Sequence, residues 1–116
     1  TNVDDRRRNN RIDAHNSRLA VHNTVDGEPV GIIGNLSPGG MMLITRQQLY
    51  PDGILQLTVD IPETVDFGPI SMGMKILWCI PANSPDEFWA GLETLDMSPD
   101  SQAALQALLA YLGETA

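Results

Sequence analysis

Hydrophobic and polar residues alternate in several short stretches of this 116-residue chain. The alternation is clearest at Leu57, Val59 and Ile61, which are separated by polar side chains. A period of two is typical of a β-strand that buries one face. The same period, or a short apolar run, recurs in five further segments: residues 19–21, 30–36, 41–45, 72–80 and 88–95. The pattern therefore predicts five or six short strands.

Proline and glycine separate the predicted strands. Asp26-Gly27 favours a turn, and the run Ser37-Pro38-Gly39-Gly40 is a strong turn signal between two apolar segments. No helical pattern lies between the strands. Short strands with such connections are typical of a small antiparallel barrel, so the fold is predicted to be mainly β.

One helix is predicted near the carboxyl terminus, over about residues 99–112. Ser98 is suited to cap it, and Pro99 fits the first helical position. Four leucines recur at helical spacing and form one apolar stripe: Leu105, Leu108, Leu109 and Leu112. Gly113 is placed to end the helix.

Charge is distributed unevenly along the chain. The net charge is −8, yet four of the seven basic residues are Arg6, Arg7, Arg8 and Arg11. Residues 1–13 are polar and almost free of large apolar groups, which predicts a flexible arm ahead of a globular domain at 14–116. Guanidinium groups grip phosphate oxygens and stack on flat rings, so the arm favours a ligand that carries phosphates and bases. A solvated tail, or one that binds lipid or RNA, is the alternative.

Several functional classes are disfavoured by the composition. An acidic chain with a pI near 4.4 argues against nucleic acid as the main partner. No apolar run approaches the roughly 18 residues of a membrane span. Cys79 is the single cysteine, and neither it nor the two histidines has the spacing of a metal site. No catalytic set can be assembled, so we expect no enzymatic activity, no metal and no cofactor.

A second polar motif, Asn35-Leu36-Ser37-Pro38-Gly39-Gly40, follows one of the predicted strands. Strand alternation places Asn35 and Ser37 on one side and Leu36 on the other. Gly39 and Gly40 permit positive φ and close approach to the backbone. By itself the motif indicates a hairpin turn.

The two motifs together resemble those of the PilZ domain family: Arg6-Arg7-x-x-x-Arg11, then Asn35-x-Ser37-x-x-Gly40. The resemblance extends over nearly the whole chain and includes Trp78 and the segment 91–93. Asn35 stands where aspartate is commoner in the family. PilZ domains are receptors for the bacterial second messenger cyclic di-GMP. The resemblance implies a six-stranded antiparallel barrel with a carboxyl-terminal helix, in a bacterial cytoplasmic protein.

The resemblance also implies a role for each motif residue. Arg7 and Arg11 would clasp the phosphates and guanines, and Arg6 would favour an intercalated pair of ligands. Asn35 and Ser37 would read a guanine edge. The predicted ligand-binding set is Arg6, Arg7, Arg8, Arg11, Asn35, Ser37, Gly40 and Trp78. Trp78 has two interpretations, because it shares a predicted strand face with Ile76 and Ile80 and so also fits the core.

Three functions follow from these observations. The first is a cyclic di-GMP receptor whose arm orders on binding and changes contacts with an unidentified protein. The second is a PilZ-like adaptor that binds a protein through its barrel and leaves the nucleotide site unused. The third, a phosphodiester-cleaving enzyme, is disfavoured by the lack of metal ligands.

Overall fold

The computed structural model describes residues 12–13, 19–61 and 69–115. Arg6, Arg7, Arg8 and Arg11 lie outside the described residues. The elements are β1 (Ile12–Asp13), β2 (Ala20–Asn23), β3 (Pro29–Ser37), β4 (Gly40–Thr45), β5 (Ile54–Val59), β6 (Ile70–Pro81), β7 (Phe88–Met97) and α1 (Pro99–Thr115).

Six of these strands form a closed antiparallel barrel. The sheet runs β3-β2-β5-β6-β7-β4, and pairing of β4 with β3 closes it. Closure leaves no long unpaired strand edge within this ring. The short strand β1 pairs with the end of β3. It lies on the same edge of β3 as β2, which pairs with an earlier part of that strand. The predicted six-stranded barrel is confirmed.

Alternate strand residues point inward and fill the barrel. The buried set includes Leu19, Val21, Ile33, Leu36, Met41, Leu43, Leu57, Val59, Ile70, Met72, Met74, Ile76, Ala90 and Leu92. Met41, Met72 and Met74 are core residues, as expected of flexible apolar side chains. Met42 instead lies half-buried on the outer side of the barrel.

The helix α1 begins where the sequence predicts. The Ser101 backbone N–H donates to Ser98 Oγ at 3.1 Å, which is the geometry of a helix cap. The predicted leucine stripe is buried, and Ser101 Oγ accepts from the Ser71 N–H at 3.1 Å, which ties the helix to β6. The predicted end at Gly113 is wrong. The helix continues to Thr115, because Gly113 does not adopt the left-handed conformation that ends a helix.

The two predicted turns differ in how they use glycine. Gly27 has a φ of 75°, so the Asp26-Gly27 turn is confirmed together with its need for glycine. Pro38-Gly39 connects β3 to β4 as a two-residue hairpin. The positive φ that the sequence permits at Gly39 and Gly40 is not used. Gly40 is instead required for packing, since a Cβ there would collide with the Leu92 carbonyl oxygen.

Candidate functional site

The last two residues of the predicted arm form β1 and pair with the strand that carries the polar motif, so this end of the arm is part of the sheet. Ile12 pairs with Leu36, and Asp13 pairs with Asn35. Arg11 is the residue that precedes Ile12 in sequence. The two motifs are therefore linked by one short strand pairing, although 24 positions separate Arg11 from Asn35 in the sequence.

Asn35 lies on the outer side of the barrel beside Met42. Its neighbour Leu36 is buried in the core, so the predicted alternation of Asn35 and Leu36 is confirmed. The Asn35 Nδ2 atom is 3.9 Å from Met42 Sδ. A register shift between Ile33 and Asn35 inserts Gly34 as an extra residue opposite β4. This bulge directs Asn35 outward.

Ser37 has a structural contact within the hairpin. It is 4% exposed, and its Oγ donates to the Gly40 carbonyl oxygen at 3.3 Å. The Gly39 carbonyl in turn accepts from the Thr94 N–H at 2.9 Å, which joins the hairpin to β7. The hairpin that carries the motif is thus held in a fixed position against the rest of the sheet.

Trp78 is not a core residue, so that interpretation is wrong. A register shift between Ile76 and Trp78 inserts Leu77 as an extra residue opposite β7. The shift changes the face to which the following side chains point. Ile76 is buried, whereas Trp78 is 39% exposed. A Cβ at Gly91 would collide with Nε1 and Cε2 of the indole, so the ring lies over the Gly91 backbone.

Asn35 and Trp78 belong to one row across four neighbouring strands. Asn35 pairs with Met42, Met42 with Gly91, and Gly91 with Trp78. We call Asn35, Met42, Gly91 and Trp78 the ligand row, after the two predicted ligand-binding residues at its ends. With strands about 4.8 Å apart, roughly 14 Å of sheet separates the ends of the row. The structure thus places Asn35 and Trp78 in one row on the outer face, although the sequence indicated them separately.

A second row, which is polar, lies next to the ligand row. It consists of Ser37, Gly40, Glu93 and Lys75, which pair across the same four strands. Lys75 Nζ lies 3.6 Å from Asp52 Oδ1 in an exposed ion pair. Sequence reasoning missed Met42, Gly91 and Lys75 as neighbours of the motif. Of these, Gly91 could have been noticed in the sequence, because a glycine inside a strand often marks a place where another group approaches the backbone closely.

The model of the PilZ domain family matches residues 5–111. The chain belongs to the PilZ domain family. No curated protein sequence matches it. In the part of this PilZ domain that the structure describes, no cluster of three potential metal ligands occurs. Within the same part, no helix has the length and apolar character to span a membrane.

Solved structures share the fold of this PilZ domain. The PilZ domain of Escherichia coli YcgR, solved with c-di-GMP, is 18% identical with a TM-score of 0.71, and the match covers 95% of this chain and 93% of that one. The MrkH–c-di-GMP complex of K. pneumonia is 20% identical with a TM-score of 0.71 and coverage of 95% and 53%. Bacillus subtilis MotI, an inhibitor of motility, is 19% identical with a TM-score of 0.69 and coverage of 91% and 50%. This chain therefore spans about half of the MrkH and MotI chains.

Proposed function

We propose that this PilZ domain is a non-enzymatic receptor for cyclic di-GMP in the bacterial cytoplasm. The observation that carries the proposal is the ligand row, in which Asn35 and Trp78 share one outer face. The pairing of β1 with β3 leads the chain to Asn35 directly after Arg11 in sequence. Structural relatives with the same fold, YcgR and MrkH, were solved with c-di-GMP.

The arm supplies the cations that a dianionic ligand needs. Arg7 and Arg11 contact the phosphates and the guanine faces, Arg8 assists, and Arg6 favours an intercalated pair of ligands. A hydrogen bond to a charged group contributes roughly 1.5–3 kcal/mol, so three arginines contribute about 5–9 kcal/mol. Micromolar affinity requires about 8 kcal/mol after the cost of ordering the arm. Contacts with the guanine bases must therefore contribute the rest of the binding free energy.

The barrel supplies those base contacts. The Asn35 amide has both donors and an acceptor, which suits the edge of a guanine. Ser37 is buried, and its bond to the Gly40 carbonyl fixes the hairpin that positions Asn35 for the base. Gly40 keeps the hairpin close to β7, so the base approaches this part of the sheet without a side chain in the way.

Trp78 provides a stacking surface at the other end of the ligand row. Its indole lies over Gly91 and is partly exposed, so part of the ring surface is available to a base. Stacking of a base on an aromatic side chain contributes about 1–3 kcal/mol. This stacking adds to the contribution of the arginines.

Binding is proposed to order the arm across the outer face and so to change the surface offered to a downstream protein. The arm carries four of the seven basic residues in an acidic chain, so its closure over an anion redistributes charge on one side of the barrel. A loose segment that orders on binding is a common switching device.

Calorimetric titration with cyclic di-GMP tests the proposal. We expect saturable binding, with a stoichiometry nearer two ligands per chain than one. Arg7→Ala and Arg11→Ala should each weaken affinity about tenfold or more, because each removes charged hydrogen bonds. Arg18→Ala, which removes an arginine outside the arm, is the matched control.

Unchanged affinity in both arm variants would overturn the role of the arm. Complete absence of binding by the wild-type chain would favour the protein adaptor instead. Release of linear dinucleotide during prolonged incubation, measured by chromatography, would favour the enzyme.

A further inference from the structure

The second tryptophan of the chain lies beside the first on the outer face. Trp89 and Gly91 are two residues apart on β7, so their side-chain directions coincide and they are about 6.8 Å apart. Trp78 pairs with Gly91, and Ile80 pairs with Trp89. The two indoles are therefore diagonal neighbours, a separation that aromatic side chains can bridge. Trp89 is 40% exposed.

Trp89 belongs to a row of four apolar side chains. Ile32 pairs with Ile44, Ile44 with Trp89, and Trp89 with Ile80. We call these residues the outer apolar row. It lies next to the ligand row on the same four strands. Trp89 and Ile80 are 40% and 50% exposed, while Ile32 and Ile44 are half-buried. An apolar surface of this kind on a soluble domain usually marks a binding site.

Two opposite charges lie at the next position beyond this row. Ile44 pairs with Trp89 and Thr45 with Phe88, and Arg46 and Glu87 are the residues that follow β4 and precede β7 at this end of the pairing. Both residues line a cavity of about 530 Å³ whose walls include Ile32 and Ile44. Within residues 12–13, 19–61 and 69–115, no ion pair joins Arg46 to Glu87. A cation and an anion thus line one cavity together with two members of the outer apolar row, Ile32 and Ile44, and no ion pair within these described ranges joins the two charges.

Guanine has the chemistry that matches this arrangement. Its flat ring stacks on an indole, and its O6 and N7 acceptors suit an arginine fork. Its N1–H and amino group are donors, and a carboxylate such as Glu87 accepts both. Adenine lacks that pair of donors. A cavity of this volume lies within the range of small-molecule sites, about 300–1,000 Å³.

We propose that the outer apolar row is a second guanine-binding surface. Trp89 stacks on a base of a second cyclic di-GMP molecule, and Arg46 and Glu87 hydrogen bond to the two edges of that base. This inference rests on the proposed function, because the ligand is the same. It assigns the second molecule of the pair to residues outside both sequence motifs.

Calorimetric titration of Trp89→Leu with cyclic di-GMP tests the assignment. Leucine keeps an apolar side chain but removes the stacking ring, so the second binding step should weaken about 5- to 150-fold. The stoichiometry should fall from two towards one at the same ligand concentration, while the first step is retained. Leu95→Ala, an exposed apolar residue on the same strand, is the control and should keep both steps. Thermal melting verifies that both variants fold.

Single-tryptophan fluorescence gives an independent readout, because the chain has only two tryptophans. In Trp78→Phe, emission comes from Trp89 alone, and we expect quenching by cyclic di-GMP. Cyclic di-AMP at the same concentrations should not quench it, since Glu87 selects guanine. A Glu87→Gln variant should lose most of that discrimination.

Two results would overturn this inference while leaving the proposed function intact. One is retention of both binding steps in Trp89→Leu. The other is Trp89 emission that stays constant while calorimetry shows cyclic di-GMP saturating the Trp78→Phe chain. Failure of the wild-type chain to bind at all would instead overturn the proposed function, so the two failures are distinguishable.

Discussion

The indole of Trp78 occupies the space in which Gly91 would carry a side chain. The two residues are register partners on β6 and β7, and an added Cβ at position 91 would collide with Nε1 and Cε2 of the ring. Because Gly91 has no side chain, the indole of Trp78 can lie close to the backbone of β7. A ring held against the backbone loses little conformational freedom when a base stacks on it.

We expect Gly91→Ala to lift the indole off the sheet and to weaken cyclic di-GMP binding. The loss should be about 5- to 150-fold, which corresponds to the 1–3 kcal/mol of one stacked base. Stability should change less, because the colliding group is a partly exposed side chain that can move. Calorimetry measures the affinity, and tryptophan emission reports the displaced ring.

Gly73→Ala is the matched control for this variant. Gly73 also lies inside a strand, but an added Cβ there would meet only the Gln56 side-chain end at 3.0 Å, which is free to shift. Affinity equal to the wild type in Gly91→Ala would show that the position of Trp78 does not matter for binding.

Gly40→Ala should act mainly on stability. The group that an added methyl would meet is the Leu92 carbonyl oxygen, and backbone in a closed barrel cannot move as a side chain does. We expect a loss of about 1–3 kcal/mol in the free energy of unfolding, the usual range for overpacking. Denaturant titration measures it. A variant of wild-type stability that has lost ligand binding would instead assign Gly40 to the ligand alone.

Ser98→Ala should destabilise α1 without affecting the ligand site. Its Oγ accepts the Ser101 N–H, and loss of such a cap costs about 1 kcal/mol. The melting temperature should therefore fall by a few degrees while the affinity for cyclic di-GMP is retained. Ser84→Ala, at an exposed position between strands, is the control. Equal melting temperatures for the two variants would contradict the capping role.

Salt should affect the wild-type chain more than Arg7→Ala. Raising the ionic strength from 0.1 M to 1 M shortens the Debye length from about 10 Å to about 3 Å, which screens arginine–phosphate attraction. A chain with one phosphate contact fewer should have a shallower dependence of affinity on salt. Titrations at four salt concentrations give the two slopes. Identical slopes would indicate that Arg7 makes no phosphate contact.

The sequence predicted the barrel and its helix because their determinants are local. Alternation at Leu57 and Val59, the Pro38-Gly39 turn and the Ser98 cap each depend on a few neighbouring residues. The end of the helix was predicted wrongly, since Gly113 can either stop a helix or remain in it. Its backbone keeps the helical conformation here.

The arrangement of the site could be predicted only in part. The motif at residues 35–40 was recognisable, and its position at a strand end is confirmed. The outward direction of Trp78 was not predictable, because it depends on the extra residue Leu77, and bulges are set by pairing with another strand. For the same reason, the neighbourhood of Trp78, Gly91 and Trp89 emerges from the register of β6 and β7 rather than from spacing.

Nuclear magnetic resonance with ¹⁵N-labelled chain tests the binding face most directly. On addition of cyclic di-GMP, we expect the largest shifts at the Asn35 and Gly91 amides, the Asn35 side-chain amide and the Trp78 indole N–H. Resonances of the opposite side of the barrel, such as His22 and Thr58 on β2 and β5, should stay nearly unchanged. Saturating ligand that leaves the Asn35 and Trp78 signals in place would contradict a nucleotide site on this face.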